Sequence, residues 1–130
     1  MQNLLFDFIS KYTSLTENEK ETITSLGIFH SVKKGSILLK EGQFSKDGYF
    51  VLKGCIRNYY IIEGEEKTTG FYTEMEGITP HCVLNKKASE YYIDCIEDSI
   101  VTISNPAMEI EILRNSQNLK HFAEYYQKNF

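Results

Sequence analysis

The chain has 130 residues, of which 42% are hydrophobic and 25% charged, a composition typical of one folded domain rather than a disordered chain. Its 14 basic and 18 acidic side chains give a net charge of −4. This argues against a nucleic-acid-binding surface, because such surfaces are basic. No apolar run approaches the ~20 residues of a membrane-spanning helix, and the first residues do not resemble a signal peptide. We therefore predict a cytoplasmic protein without membrane association.

The chain begins with two predicted helices, in residues 1–27. The first is indicated by apolar side chains at helical spacing, which are Leu4, Leu5, Phe8, Ile9 and Tyr12. The second begins with Thr16 and Glu19, whose spacing matches a capping box. We expect it to end at Gly27, because glycine commonly terminates helices.

Residues 28–105 favour short β-strands. All eight glycines lie between positions 27 and 77 and separate β-branched and aromatic runs, a pattern that predicts seven or eight strands. We expect antiparallel hairpins at Glu63-Gly64 and at Asp98-Ser99, which lie between such runs. Many short strands with regular turn signals predict a sandwich, barrel or jelly roll.

Residues 106–130 favour two further helices. Asn105 is a preferred N-cap residue, and Pro106 suits the first position of a helix. The last segment carries a helical apolar stripe formed by Leu119, Phe122, Tyr126 and Phe130. Because the stripe still continues at Phe130, we expect the last helix to be truncated.

Three cysteines and three histidines provide candidate metal ligands, but their spacing argues against a site. Cys55, Cys82 and Cys95 form no CxxC pair, so we expect reduced thiols and no metal. His81 and Cys82 are neighbours, yet adjacent residues in a strand face opposite ways. We predict no catalytic residue and no cofactor.

The stretch VKKGSILLKEGQFSKDGYFVLKGCIRNYYIIEGEEK resembles the cyclic-nucleotide-binding domain of Crp/Fnr-type transcription regulators. Gly35, Gly42 and Gly54 match the turn glycines of that family, and Tyr49-Phe50-Val51-Leu52 matches its core strand. The resemblance implies a mainly β fold with flanking helices, a double-stranded β-helix or jelly-roll-like β-roll. It also implies one domain over residues 1–130, with the DNA-binding helix-turn-helix domain absent from this chain.

The family's phosphate-binding cassette is degenerate here. The family places a glutamate after a glycine and an arginine before Ser or Thr, but Ile78 follows Gly77, and Ala88 precedes Ser89. Cyclic AMP or cyclic GMP is therefore not expected to bind in the usual mode. The residues left to contact an unidentified small-molecule ligand are Gly77, Thr79, Lys86, Lys87, Ser89 and Tyr126.

Charge and arginine content support this interpretation. The chain has two arginines, Arg57 on an earlier strand and Arg114 on a later helix, and neither matches the cassette. Residues 74–130 hold five basic and nine acidic side chains. An anionic ligand would therefore meet net repulsion in this part of the chain.

The resemblance also implies a homodimer formed through the last helix. Its candidate interface residues are Leu119, Phe122, Tyr126 and Phe130, which could instead pack on their own domain. We therefore predict a ligand-sensing and dimerisation domain that reaches DNA only through a domain missing from this chain. The alternatives are a stand-alone small-molecule-binding or dimerisation module, or a cupin-like metal enzyme, for which His30, His81 and His121 are too isolated.

Overall fold

The structure is a computed structural model that describes residues 1–114 and 116–129, with side chains described as far as Tyr125. It contains two compact units: Met1–Phe29 with the described residues from Ser104 onward, and His30–Ile103. Within the described residues, no helix has the length and apolar character needed to cross a membrane.

Five helices and eight strands occur in the described residues. The helices are α1 (Gln2–Ile9), α2 (Glu17–Ser25), α3 (His81–Asn85), α4 (Pro106–Arg114) and α5 (Gln117–Asn129). The strands are β1 (Phe29–Val32), β2 (Ile37–Leu39), β3 (Gly48–Lys53), β4 (Ile56–Ile62), β5 (Glu65–Tyr72), β6 (Gly77–Ile78), β7 (Tyr92–Cys95) and β8 (Ser99–Ser104).

The ends of the flanking helices follow local sequence signals. The Thr16 hydroxyl accepts a hydrogen bond from the Glu19 amide at 3.1 Å, and the Glu19 carboxylate accepts one from the Thr16 amide at 2.8 Å. The Met108 amide donates to the Asn105 side chain at 3.0 Å, so Asn105 caps α4. Each cap satisfies amide groups that lack a partner within their helix.

The helical unit has its own apolar core. Its buried members are Phe6, Ile9, Ile23, Ile28 and Leu119. They come from α1, α2, α5 and the chain just before β1, so the two terminal parts of the chain form one hydrophobic cluster. Burial of this apolar surface stabilises helices that are too short to be stable alone.

The β unit consists of two four-stranded sheets, with orders β1-β8-β3-β6 and β2-β7-β4-β5. Strand β4 pairs antiparallel with both β5 and β7. The central apolar cluster of this unit comprises Leu39, Tyr49, Val51, Ile56, Cys82, Tyr91, Ile93, Cys95 and Val101. These residues come from both sheets, α3 and the loop before β7, as expected for the inside of a β-roll.

One predicted hairpin is confirmed and the other is wrong. Strands β4 and β5 pair across Glu63 and Gly64, whose φ values of 53° and 80° suit a tight turn. At Asp98-Ser99, however, β7 and β8 lie in different sheets. This segment crosses between the sheets because β7 pairs with β2 and β4, and no local turn signal encodes such distant partners.

Candidate functional site

The segment predicted to form a degenerate phosphate-binding cassette contains α3 and the loop leading to β7. The backbone of Lys86 is left-handed, with φ of 57°, at the C-terminal end of α3. This conformation is uncommon for residues other than glycine, and it turns the chain away from the helix. The five-residue helix therefore ends immediately before the two lysines.

The Tyr91 side chain lies against the N-terminal end of α3. Its hydroxyl oxygen accepts a hydrogen bond from the His81 amide at 3.2 Å. The ring contacts Tyr60 edge to face, with 5.5 Å between centroids. Burial is the largest effect on the Tyr91 hydroxyl and raises its pKa, which keeps the phenol neutral. A backbone donor that could face an anion is thus already bound to a neutral side chain.

Ser89 takes part in the turn that precedes β7. Its buried hydroxyl donates to the Tyr91 carbonyl oxygen at 2.7 Å and accepts from the Tyr91 amide at 3.2 Å. The Ser89 backbone also exchanges hydrogen bonds with Gly42 and Gln43. The side chain that matched the family pattern is therefore engaged by backbone groups of its own unit.

A small cavity of about 60 Å³ lies between α3, its following loop and β4. Its lining includes Tyr60, His81, Cys82, Asn85, Lys87 and Tyr91. Pockets for small organic ligands usually measure roughly 300–1,000 Å³. In this conformation the cavity has room only for a few water molecules.

The structure brings only some of the predicted ligand residues together. Lys87 lines the cavity, whereas Gly77, Thr79 and Lys86 are exposed and do not line it. A Cβ atom on Gly77 would lie 3.1 Å from the Tyr49 carbonyl oxygen, so close strand packing favours glycine there. The Tyr126 side chain lies outside the described residues. The assignment of these residues to a ligand stays a prediction.

Neither arginine lines the cavity. The Arg57 guanidinium lies 2.8 and 3.2 Å from the two Asp94 carboxylate oxygens and 3.0 Å from the Glu66 carboxylate. The side-chain hydrogen bond to Asp94 is the largest effect and raises the Arg57 pKa. Arg114 lies on α4 and pairs with Glu111 at 3.6 Å.

Asn58 is a polar residue that the sequence analysis missed. It is 7% exposed and lies opposite Ile93, a fully buried member of the roll's core. Its Oδ1 atom is buried and has no hydrogen-bond partner among the described residues. In the sequence, Asn58 could have been noticed as an amide side chain between two apolar or aromatic residues. Ile56, Asn58 and Tyr60 alternate along β4, so their side chains share one face of the strand.

The candidate dimer residues have different surroundings. Leu119 is 5% exposed and packs in the core of the helical unit, which leaves little of its surface for a partner. Phe122 is half-buried, and its ring lies 6.1 Å from Phe8 and 5.5 Å from Tyr12. Phe130 lies outside the described residues, as does the Tyr126 side chain. The interface stays a prediction.

The cysteines lie inside the β unit. Cys55, Cys82 and Cys95 are all buried, and burial is the largest effect in raising the pKa of Cys95 to about 11. Its thiol is therefore protonated and weakly nucleophilic at neutral pH. Among residues 1–114 and 116–129, no group of three or more Asp, Glu, His or Cys side chains is arranged to hold a metal ion.

The sequence matches no protein-family model and no curated protein. The structure is similar to the Thermus thermophilus catabolite activator protein, with a TM-score of 0.62 and 16% identity over 90% of this chain and 57% of that one. The regulatory domain of Toxoplasma gondii PKA, solved with cAMP, has a TM-score of 0.63 and 15% identity over 85% and 44% of the two chains. A cyclic nucleotide-binding-like protein from Brucella abortus has a TM-score of 0.61 and 15% identity over 88% and 97%.

These similarities establish the fold class. The chain has the fold of cyclic-nucleotide-binding domains, a mainly antiparallel β-roll with flanking helices. The fold predicted from the sequence is therefore confirmed. The chain spans only 57% of the length of the Thermus activator.

Proposed function

We propose that this chain is the ligand-sensing and dimerisation domain of a Crp/Fnr-like transcription regulator, and that it does not bind cyclic AMP or cyclic GMP in the usual mode. It acts as a binding domain rather than an enzyme. In this proposal the protein is cytoplasmic, dimerises through α5 and reaches DNA through a further domain. The shared fold with a catabolite activator supports the regulatory role.

The observation that carries the proposal is the hydrogen bond from the His81 amide to the Tyr91 hydroxyl. A cyclic phosphate carries a negative charge and needs several donors or a bidentate arginine. Here the His81 amide at the start of α3 is occupied. The cavity beside it offers Lys87 as its cation, and Glu90, which also lines the cavity, opposes that charge. A nucleotide anion would lose its hydration without gaining matching partners.

The test is isothermal titration calorimetry of the protein with cyclic AMP and cyclic GMP at millimolar nucleotide. We expect no saturable heat with either nucleotide. The matched variant is Tyr91→Phe, which keeps the ring and frees the His81 amide. Saturable heat with the unmodified protein would contradict the proposal. Independently of the calorimetry, mass spectrometry of small molecules that co-purify with the native protein would identify the ligand it does bind.

A further inference from the structure

The unpaired Oδ1 of Asn58 is the feature of the roll that packing does not explain. A buried acceptor without a donor loses its hydrogen bonds to water and gains none in return. Native proteins keep few such groups, and many of those have a functional role or bind a ligand or water. Asn58 is more than nine-tenths buried, so surface water does not compensate for the loss.

Hydrogen bonding determines which way the Asn58 amide points. Its Nδ2 atom donates to the Thr69 hydroxyl at 2.7 Å, and that hydroxyl lies 3.4 Å from the Asn58 carbonyl oxygen, to which it donates. Thr69 therefore accepts from the amide nitrogen, and Oδ1 faces away from it. Thr69 is also the extra residue of a β-bulge, because Asn58 pairs with Gly70 and Tyr59 pairs with Thr68.

Oδ1 lies over Gly70, in the position that a side chain on residue 70 would occupy. A Cβ atom on Gly70 would lie 2.6 Å from Asn58 Oδ1 and 3.2 Å from the Tyr72 hydroxyl oxygen. Any other residue would therefore displace the amide. The bulge and the glycine together keep an acceptor directed into the roll.

Asn58 lies near the small cavity along β4, although it does not line it. Tyr60, which lines that cavity, is two residues further and on the same face of the strand, about 7 Å away. The Tyr60 side chain is only partly buried. A molecule larger than water would need its ring to turn in order to pass from the cavity to Oδ1.

We propose that Asn58 is a ligand-recognition residue whose Oδ1 accepts a hydrogen bond from a small uncharged molecule that carries an N–H or O–H group and enters beside Tyr60. This inference rests on the proposed ligand-sensing function. We expect the ligand to be uncharged because the buried polar residues of the roll are all neutral. They are Asn58, Ser89, Ser99 and Thr102. A charged ligand would find no buried counter-ion there.

The experiment compares two probes of similar shape that differ in one donor, phenol and toluene. Binding is followed by the amide NMR signals of Gly70 and Tyr60 in the whole chain at millimolar probe. We expect the unmodified protein to bind phenol about tenfold more tightly than toluene, because one buried hydrogen bond is gained. We expect Asn58→Leu to bind the two probes equally. Asn58→Ala, which adds no bulk, is the second variant if leucine disturbs packing.

The matched control is Asn18→Leu, the same substitution at an exposed asparagine of α2, which should keep the preference for phenol. The assignment is overturned if both probes bind the unmodified protein equally, if neither perturbs Gly70 or Tyr60, or if the preference survives in the Asn58 variants. The first two outcomes are also those expected if Oδ1 holds only a buried water. Cyclic AMP binding by the unmodified protein contradicts the proposed function, whereas a preference unaffected by Asn58 contradicts this inference alone.

Discussion

The Arg57 side chain could bind an anion, but its guanidinium instead contacts residues of its own sheet. Its guanidinium lies 4.2 Å above the ring of Tyr59 and pairs with Asp94 and Glu66. Tyr59 in turn stacks on Tyr92 with 5.2 Å between centroids. As a result Tyr59 is only 5% exposed although its side chain lies on the outer face of β4. The planar, bidentate guanidinium suits this arrangement better than an ammonium group.

We predict that Arg57→Lys lowers the free energy of unfolding by about 1–2 kcal/mol, because lysine keeps the charge but loses the bidentate bonds and the stacking. Urea unfolding measures the change. Lys67→Ala is the control, since Lys67 and Glu65 form an exposed pair at 2.9 Å, and it should cost less than about 0.5 kcal/mol. Equal losses in the two variants would contradict the structural role of Arg57.

The Glu19 carboxylate stabilises the N-terminal end of α2. Hydrogen bonds from the Ser116 side chain, the largest effect, and from the Thr16 backbone lower the pKa of Glu19 from its ordinary value of 4.5. The ionised group also lies near the positive end of the helix dipole. Because the pKa is lower in the folded state, Glu19 stabilises the fold above pH 4.5, and this contribution disappears as the pH falls through the folded pKa.

We therefore expect Glu19→Gln to flatten the loss of stability on acidification. Unfolding free energies measured in urea at about pH 6 and about pH 3 should differ less in this variant than in the unmodified protein. Glutamine retains an oxygen that can accept from the Thr16 amide, so the variant should fold. Glu21→Gln, at an exposed position of the same helix, is the control. An unchanged pH dependence in Glu19→Gln would show that Glu19 does not contribute.

The accuracy of the sequence predictions differed between local and distant contacts. The caps at Thr16 and Asn105 were predictable because each involves residues three positions apart. The crossing at Asp98-Ser99 was not, because its neighbouring strands choose partners far along the chain. Strand content could thus be deduced from the short β-branched and aromatic runs and the glycines between them, whereas sheet membership could not.

For the whole molecule, the proposed dimer depends on the exposed part of the α5 stripe. Phe122 packs against Phe8 and Tyr12 and is only half-buried, so part of its surface is exposed. A carboxylate placed there would have to be desolvated in a dimer interface. Its effect on assembly should therefore exceed that of a charge elsewhere on the surface.

We predict that Phe122→Glu weakens self-association at least tenfold, a loss of about 1.4 kcal/mol, as measured by sedimentation velocity over a concentration series. Phe71→Glu is the control, because Phe71 is 58% exposed on β5 of the roll. Circular dichroism establishes that both variants are folded. A dimer population that is the same in Phe122→Glu and in the unmodified protein would contradict an α5 interface.

The sequence by itself determined short strands with flanking helices, because strand-forming runs, turn glycines and helix caps act over a few residues. The choice of a β-roll over a sandwich or barrel came from the resemblance to cyclic-nucleotide-binding domains. The degenerate cassette stays a prediction, which rests on the resemblance and on the positions of the two arginines. Only the tertiary structure decided the contact of His81 with Tyr91 and the orientation of Asn58, since both depend on segments that meet through folding. An unpaired buried acceptor cannot be recognised from sequence, because its partners are defined by packing rather than by neighbours in the chain.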